Sequence, residues 1–345
     1  MANAKERFNQ VKHILIVITL TVSVIAILQG SKFMKTYEWF PSESAHSFYP
    51  MEIVQADFIL QDGTTVYVPD KRRVYNGWGK PGSSHSVGER KKALPVKLGI
   101  IWFSYREDKF FQGEFELPTS QLEKYFSQGV EDQLTGKVEN WDIISVGMAP
   151  QGRVSIWLTG FGNTVQIAHF IAKEVNYAWI DFMPNVDMKR PDFIRLAIQE
   201  ILPAAQREKL KQMGVPNGLW EKWNQPYNWT LDVHQATTTL QIIEYASGER
   251  GPYNAKFLMH DAGRPVPTVV DLHWKKSNGN EYQTTLYFEG DEIFKAFEKL
   301  SEGKPGKPLI LDVKIDEDTF MAEAFLRDGE FILPLEDFSQ ESFSM

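Results

Sequence analysis

The side chains able to do chemistry are few and scattered. Seven histidines stand at positions 13, 46, 85, 169, 234, 260 and 273. None has a partner at the i, i+3 or i+4 spacing that sets two ligands on one helix face. His85 has Ser83, Ser84 and Ser86 beside it, but neighbours in a glycine-rich loop lack the third, orienting group that activates a serine. His260-Asp261 has the types for a general base or a zinc ligand, again within a loop. Asp312 and the run Asp316-Glu317-Asp318 offer oxygen ligands for calcium, yet the run falls between two strand patterns and reads as a hairpin turn. There is no G-x-S-x-G elbow, P-loop or H-E-x-x-H pair. With no cysteine, thiolate nucleophiles, disulfides and iron–sulfur clusters are excluded together. No catalytic residue, metal site or cofactor is expected. The chain reads as a binding protein, with a hydrolase using His85, His260 or Asp261 as a remote alternative.

Residues suited to holding a partner are easier to find. Trp220, Trp223, Tyr227 and Trp229 crowd into ten positions. Such rings carry large contact area at low entropy cost, so any left exposed are hot-spot candidates, and otherwise they are core. Trp78 and His85 lie in a loop over 76–92 that contains four glycines, and Arg106-Glu107-Asp108-Lys109 reads as a charged hairpin tip. The candidate partner-binding residues are therefore Trp78, His85, Arg106, Glu107, Trp220, Trp223 and Tyr227. The 345 residues carry 37 basic and 45 acidic side chains, a net charge of −8. Without a basic stripe, the counterion release that drives nucleic-acid binding is missing. A protein partner is expected instead, and no nucleic acid.

Those residues need elements to position them. β-rich stretches alternate over 51–60, 64–68, 96–105, 110–117, 143–148, 154–158 and 165–175. A helix opens near Thr119, its expected cap, and ends at Gly129, with Leu122, Tyr125 and Phe126 on one face. Helical spacing returns over 191–201 and again from Pro203 to Gly214. The order then repeats. Pro95 to Trp102 aligns with Pro267 to Trp274 at an offset of 172, and Leu122, Lys124 and Phe126 align with Ile293, Lys295 and Phe297 at 171. A period near 170 fits a duplicated domain rather than a solenoid. The expected fold is α+β: two similar antiparallel-sheet domains, each a sheet with one covering helix, at 32–182 and 231–345. A helical, aromatic-rich connector over 183–230 joins them.

Residues 14–28, containing Ile14, Leu20 and Leu28, hold no charge and follow Lys5, Arg7 and Lys12. This is the layout of an N-terminal transmembrane anchor or a secretory signal, with the positive flank in the cytoplasm. Leu28-Gln29-Gly30-Ser31 has a serine where a lipobox has its cysteine, and bulky Leu28 suits ordinary cleavage poorly. Residues 1–31 thus read as an uncleaved anchor in the bacterial inner membrane with the bulk of the chain periplasmic. A cleaved signal is the alternative.

Several motifs carry a family resemblance. They are Tyr37-Glu38-Trp39-Phe40-Pro41-Ser42-Glu43-Ser44-Ala45, Tyr49-Pro50-Met51-Glu52-Ile53, Asn76-Gly77-Trp78-Gly79, Trp102-Phe103-Ser104-Tyr105 and Val146-Gly147-Met148-Ala149-Pro150, with Gly218-Leu219-Trp220 further on. The chain resembles the bacterial envelope family known as domain of unknown function 2931. That resemblance implies an exported, lipoprotein-like protein, and Ser31 departs from it at the lipidated position. By analogy of size and location, such proteins are similar to periplasmic immunity proteins that neutralise secreted antibacterial effectors, particularly type VI lipases. A loop over 76–89 would then fill the effector's cleft. An envelope structural or assembly factor is the alternative.

Overall fold

The computed structural model describes residues 35–83, 88–133, 135–258, 263–288, 290–303 and 306–345. Ile14, Leu20 and Leu28 lie outside them, as does His85. No helix among the described residues is long and apolar enough to cross a membrane.

In chain order the first half contains β1 (Phe40–Ala45), β2 (Met51–Leu60), β3 (Thr65–Tyr67), β4 (Pro95–Ser104), β5 (Lys109–Glu116), α1 (Thr119–Gln128), β6 (Ile143–Ala149), β7 (Arg153–Gly160), β8 (Asn163–Ile171) and β9 (Lys173–Val175). Four helices follow: α2 (Trp179–Phe182), α3 (Arg190–Ile201), α4 (Ala204–Met213) and α5 (Leu219–Asn224). The second half has β10 (Trp229–His234), β11 (Thr237–Tyr245), β12 (Arg250–Pro252), β13 (Pro267–Lys275), β14 (Glu281–Tyr287), α6 (Glu292–Ser301), β15 (Leu309–Ile315), β16 (Ala322–Arg327), β17 (Ile332–Leu335) and β18 (Ser339–Ser344). The protein is a sheet-rich α+β fold.

Strand order repeats between the halves. One sheet runs β9-β5-β4-β2-β3, and the same succession appears as β18-β14-β13-β11-β12. The other first-half strands run β1-β6-β7-β8, matched by β10-β15-β16-β17. Finer features agree too. The β2–β4 pairing slips between Ile53 and Gln55 and between Ile59 and Leu60. The β11–β13 pairing slips between Thr238 and Leu240 and between Glu244 and Tyr245, both 185 residues later. Such bulges re-aim a strand and are built features. Trp39 Nε1 donates to Ala93 O at 3.2 Å, and Trp229 Nε1 donates to Pro265 O at 3.1 Å, so each half ties one buried indole to the same loop.

Four expectations need correcting. Each half holds two sheets rather than one, and β1 pairs β6, like β10 with β15, in parallel. The strand expected over 165–175 breaks at Ala172, whose N–H goes to Gly152 O while β8 and β9 join different sheets. The halves are not separate sheets: β8 lies beside β12, and one nine-stranded sheet, β1-β6-β7-β8-β12-β11-β13-β14-β18, passes through both. Thr119 is also not a cap. It is the first residue of α1, and its hydroxyl donates to Pro95 O at 2.9 Å.

The repeated pattern arises from alternation of apolar residues. Leu98, Ile100 and Trp102 of β4 face Ala56, Phe58 and Leu60 of β2 in one core, into which α1 presses Leu122 and Phe126. Burying side chains of this size stabilises by about 1.5–3 kcal/mol each. A smaller core forms on the other face of β4 and β5, where Phe103, Tyr105 and Phe110 meet Ile194 and Ala197 of α3.

Candidate partner-binding site

The stem of the 76–92 loop is fixed by β1. Ser44 Oγ donates to Gly77 O at 2.8 Å, Gly77 N to Ala45 O at 3.0 Å, and Gly82 N to Glu43 O at 2.9 Å. The buried Glu43 carboxylate accepts the backbone N–H of Ser83 and its hydroxyl, each at 3.0 Å, and pairs with Arg72. A buried carboxylate is tolerated when its lone pairs are filled in this way. Two glycines are required here. A Cβ on Gly82 would stand 2.5 Å from Glu43 Oε1, and one on Gly79 would stand 2.2 Å from Gly248 O, where the two halves touch.

Between these anchors Trp78 turns inward. Its ring meets Trp157 edge-on at 4.5 Å and Trp223 at 5.3 Å, and His46 stacks on Trp223 at 4.9 Å. Trp78 and Trp223 are both buried. Desolvation at this packed position pushes the His46 imidazole down to about 4, so the ring is neutral, and its Nδ1 accepts Phe48 N–H. The loop stem, the connector and β7 are therefore brought to one place by aromatic packing. Trp220 sits on the same helix as Trp223, over Ser155 of β7. It is half-buried, donates to Ser155 Oγ at 3.0 Å, and lies between His169 and Arg153.

Arg106 and Glu107 are not a free hairpin tip. Arg106 donates to the carbonyls of Leu210 and Gly214 at 2.7 and 3.0 Å, closing the C-terminus of α4. Burial there pushes its pKa down. Glu107 accepts from Ser104 Oγ and from Gln151 N at 2.7 and 2.9 Å. Arg106 thereby docks the connector onto the first half, while Glu107 ties the hairpin to the turn between β6 and β7. Tyr227 lies apart. Its ring meets Phe297 of α6 at 5.2 Å, and it lines a groove of about 1050 Å³ between α5 and α6.

Among residues considered for chemistry, Ser83 spends its hydroxyl on Glu43. His260 and Asp261, like Ser84 and Ser86, lie outside the described residues. Asp316 accepts the N–H groups of Asp318 and Thr319, which hold its carboxyl below the usual range, as a turn requires. Asp312 points elsewhere, toward His234 at 2.8 Å and Arg327 at 2.9 Å. Among the described residues no group of three His, Asp or Glu side chains is placed to hold a metal ion. Sequence reading missed Glu43, His46 and Trp157. No signal marked them: Glu43 stands between two serines in Phe40-Pro41-Ser42-Glu43-Ser44-Ala45, a polar stretch without an apolar period.

No curated protein and no solved structure matches the chain. A family match covers residues 26–218, taking in the first half and the connector up to the start of α5, so the resemblance stops short of Leu219-Trp220 and of the second half. The chain belongs to the family described as "Protein of unknown function (DUF2931)".

Proposed function

We propose that the protein is a non-catalytic binding protein, anchored at the bacterial inner membrane with its sheets in the periplasm, that engages a protein partner through the 76–92 loop. The observation that supports this reading is the stem. Glu43, Ser44 and the buried Trp78 fix residues 76–83 before any partner arrives. A pre-organised loop loses less entropy on binding than a free one, so more of its contact energy appears as affinity. In its sharper form the partner is a secreted lipase-type effector and the protein confers immunity. The net charge of −8 would steer a basic partner toward it.

The test is co-purification of tagged full-length protein from envelopes in mild detergent, with effector-encoding neighbours co-expressed. A stoichiometric effector is the expected result. Replacing 84–89 with a Gly/Ser segment of equal length, which spares Ser83 on Glu43 and Arg90 on Glu38, should then abolish binding and protection while leaving the melting temperature unchanged. Recovery of envelope-assembly proteins alone would overturn the immunity reading. Unchanged binding by the loop variant would overturn the loop.

A further inference from the structure

Among the described strands, one edge-to-edge pairing runs between the halves. Thr164 of β8 bridges Arg250 of β12, Gln166 N donates to Glu249 at 3.1 Å, and the Arg250 guanidinium reaches Gly162 O. The repeated topology supplies each side of this junction with a counterpart at the far ends of the molecule. The hairpin pairing Thr159 with Thr164 corresponds to the one pairing Arg327 with Ile332, which puts Ile332 in the place of Thr164. Ile59 pairs Thr65 as Glu244 pairs Arg250, 185 residues on, which puts Thr65 in the place of Arg250. Both counterparts lie on terminal strands, β17 of the four-stranded sheet and β3 of the other.

We propose that a second copy of this chain docks at these edges, β17 of one along β3 of the next, with Ile332 opposite Thr65. This surface is independent of the 76–92 loop. Exposure favours it. In the internal junction Asn163 and Thr164 are 1% and 5% exposed, whereas Phe331 and Ile332 in the same positions are 62% and 65% exposed. Tyr67 on the complementary edge is 46% exposed. Apolar side chains thus stand open at both edges where the internal contact is covered.

The polar bonds do not oppose docking. Pro334 replaces Gln166 and Thr64 replaces Glu249, so the donor and acceptor of that bond disappear together and neither is stranded. Pro334 has no N–H and confines backbone pairing to the Ile332 bridge, the same single bridge that joins β8 to β12. A contact between two different surfaces propagates head to tail, so association is open-ended or closes into a ring.

The absence of cysteine makes the test clean, because introduced thiols are the only ones. Full-length chains carrying Ile332→Cys or Thr65→Cys, with different tags, are mixed in detergent under mild oxidant. The expected product is the mixed 332–65 disulfide, and a ladder of linked species when one chain carries both substitutions. Only 332–332 and 65–65 products, or none, would overturn the proposal. In sedimentation, Ile332→Lys should weaken self-association about tenfold with an unchanged melting temperature. A wild-type chain that stays monomeric on concentration, or a variant that associates as well as wild type, would also overturn it.

Discussion

Two corresponding sheet faces have opposite fates. On β1, β6 and β7 the outward residues are Ser42, Ser44, Ser145, Gly147, Ser155 and Trp157, and every one is buried. In register with them on β10, β15 and β16 stand Asp232, His234, Asp312, Lys314, Glu323 and Phe325. These form an open face, with Asp312 sheltered by its neighbours. The first face is roofed by Trp78 and by Trp220 and Trp223 of α5. Small side chains there admit a roof of rings, since a Cβ on Gly147 would stand 2.0 Å from Trp157. The second face keeps charges solvated and paired, Asp312 with Arg327 and His234, and Lys314 over the Phe325 ring. One topology therefore yields a packing surface or a solvated surface according to side-chain volume and charge.

The largest expected contrast is Trp157→Ala against Phe325→Ala. The first empties the roofed face and should cost about 3–5 kcal/mol by denaturant unfolding. The second removes a half-exposed ring and should cost less than about 1 kcal/mol. Comparable costs would break the comparison. Next comes Gly147→Val, which overpacks the same face and should cost about 1–3 kcal/mol, while Lys314→Val changes stability by about 0.5 kcal/mol or less. Glu43→Gln tests the loop stem. Loss of the charged acceptor should cost about 1.5 kcal/mol and speed hydrogen exchange at the Ser83 amide, with the β10–β15 amides unaffected.

The last contrast is a pH dependence. His46 is held neutral in the folded chain with its pKa pushed down to about 4, while the unfolded chain takes up that proton near 6.5. The unfolded state then binds more protons between these values, so the His46 contribution is intact above about 6.5 and is lost as pH falls toward 4. Urea midpoints from pH 7 to 5 should fall more steeply for wild type than for His46→Gln. Parallel slopes would remove His46 from the account.

Much of the fold was legible because alternation and turn chemistry are local. The strands over 51–60, 96–105 and 143–148 follow from the period of their apolar residues, and the repeat follows from the spacing of whole elements. The site was less legible. Trp78, Trp220 and Trp223 were identified by type, but that all three roof one face, with Trp78 and Trp223 buried and Trp220 half-buried, depends on which strands lie beneath. Arg106 and Glu107 read as a free tip because the carbonyls of Leu210 and Gly214 that Arg106 satisfies lie more than 100 residues away, and the Gln151 N–H that Glu107 accepts lies 44 away.

The sequence by itself determined the element types, the order that repeats at about 170 residues, and the absence of thiol chemistry, since each is set by local composition and spacing. Only the tertiary structure decided that β8 and β12 fuse the halves into one sheet and that β1 pairs in parallel with β6. It also decided which of two equivalent faces is covered. Strand partnership is fixed by long-range closure and by what packs over each face, and no local period encodes either.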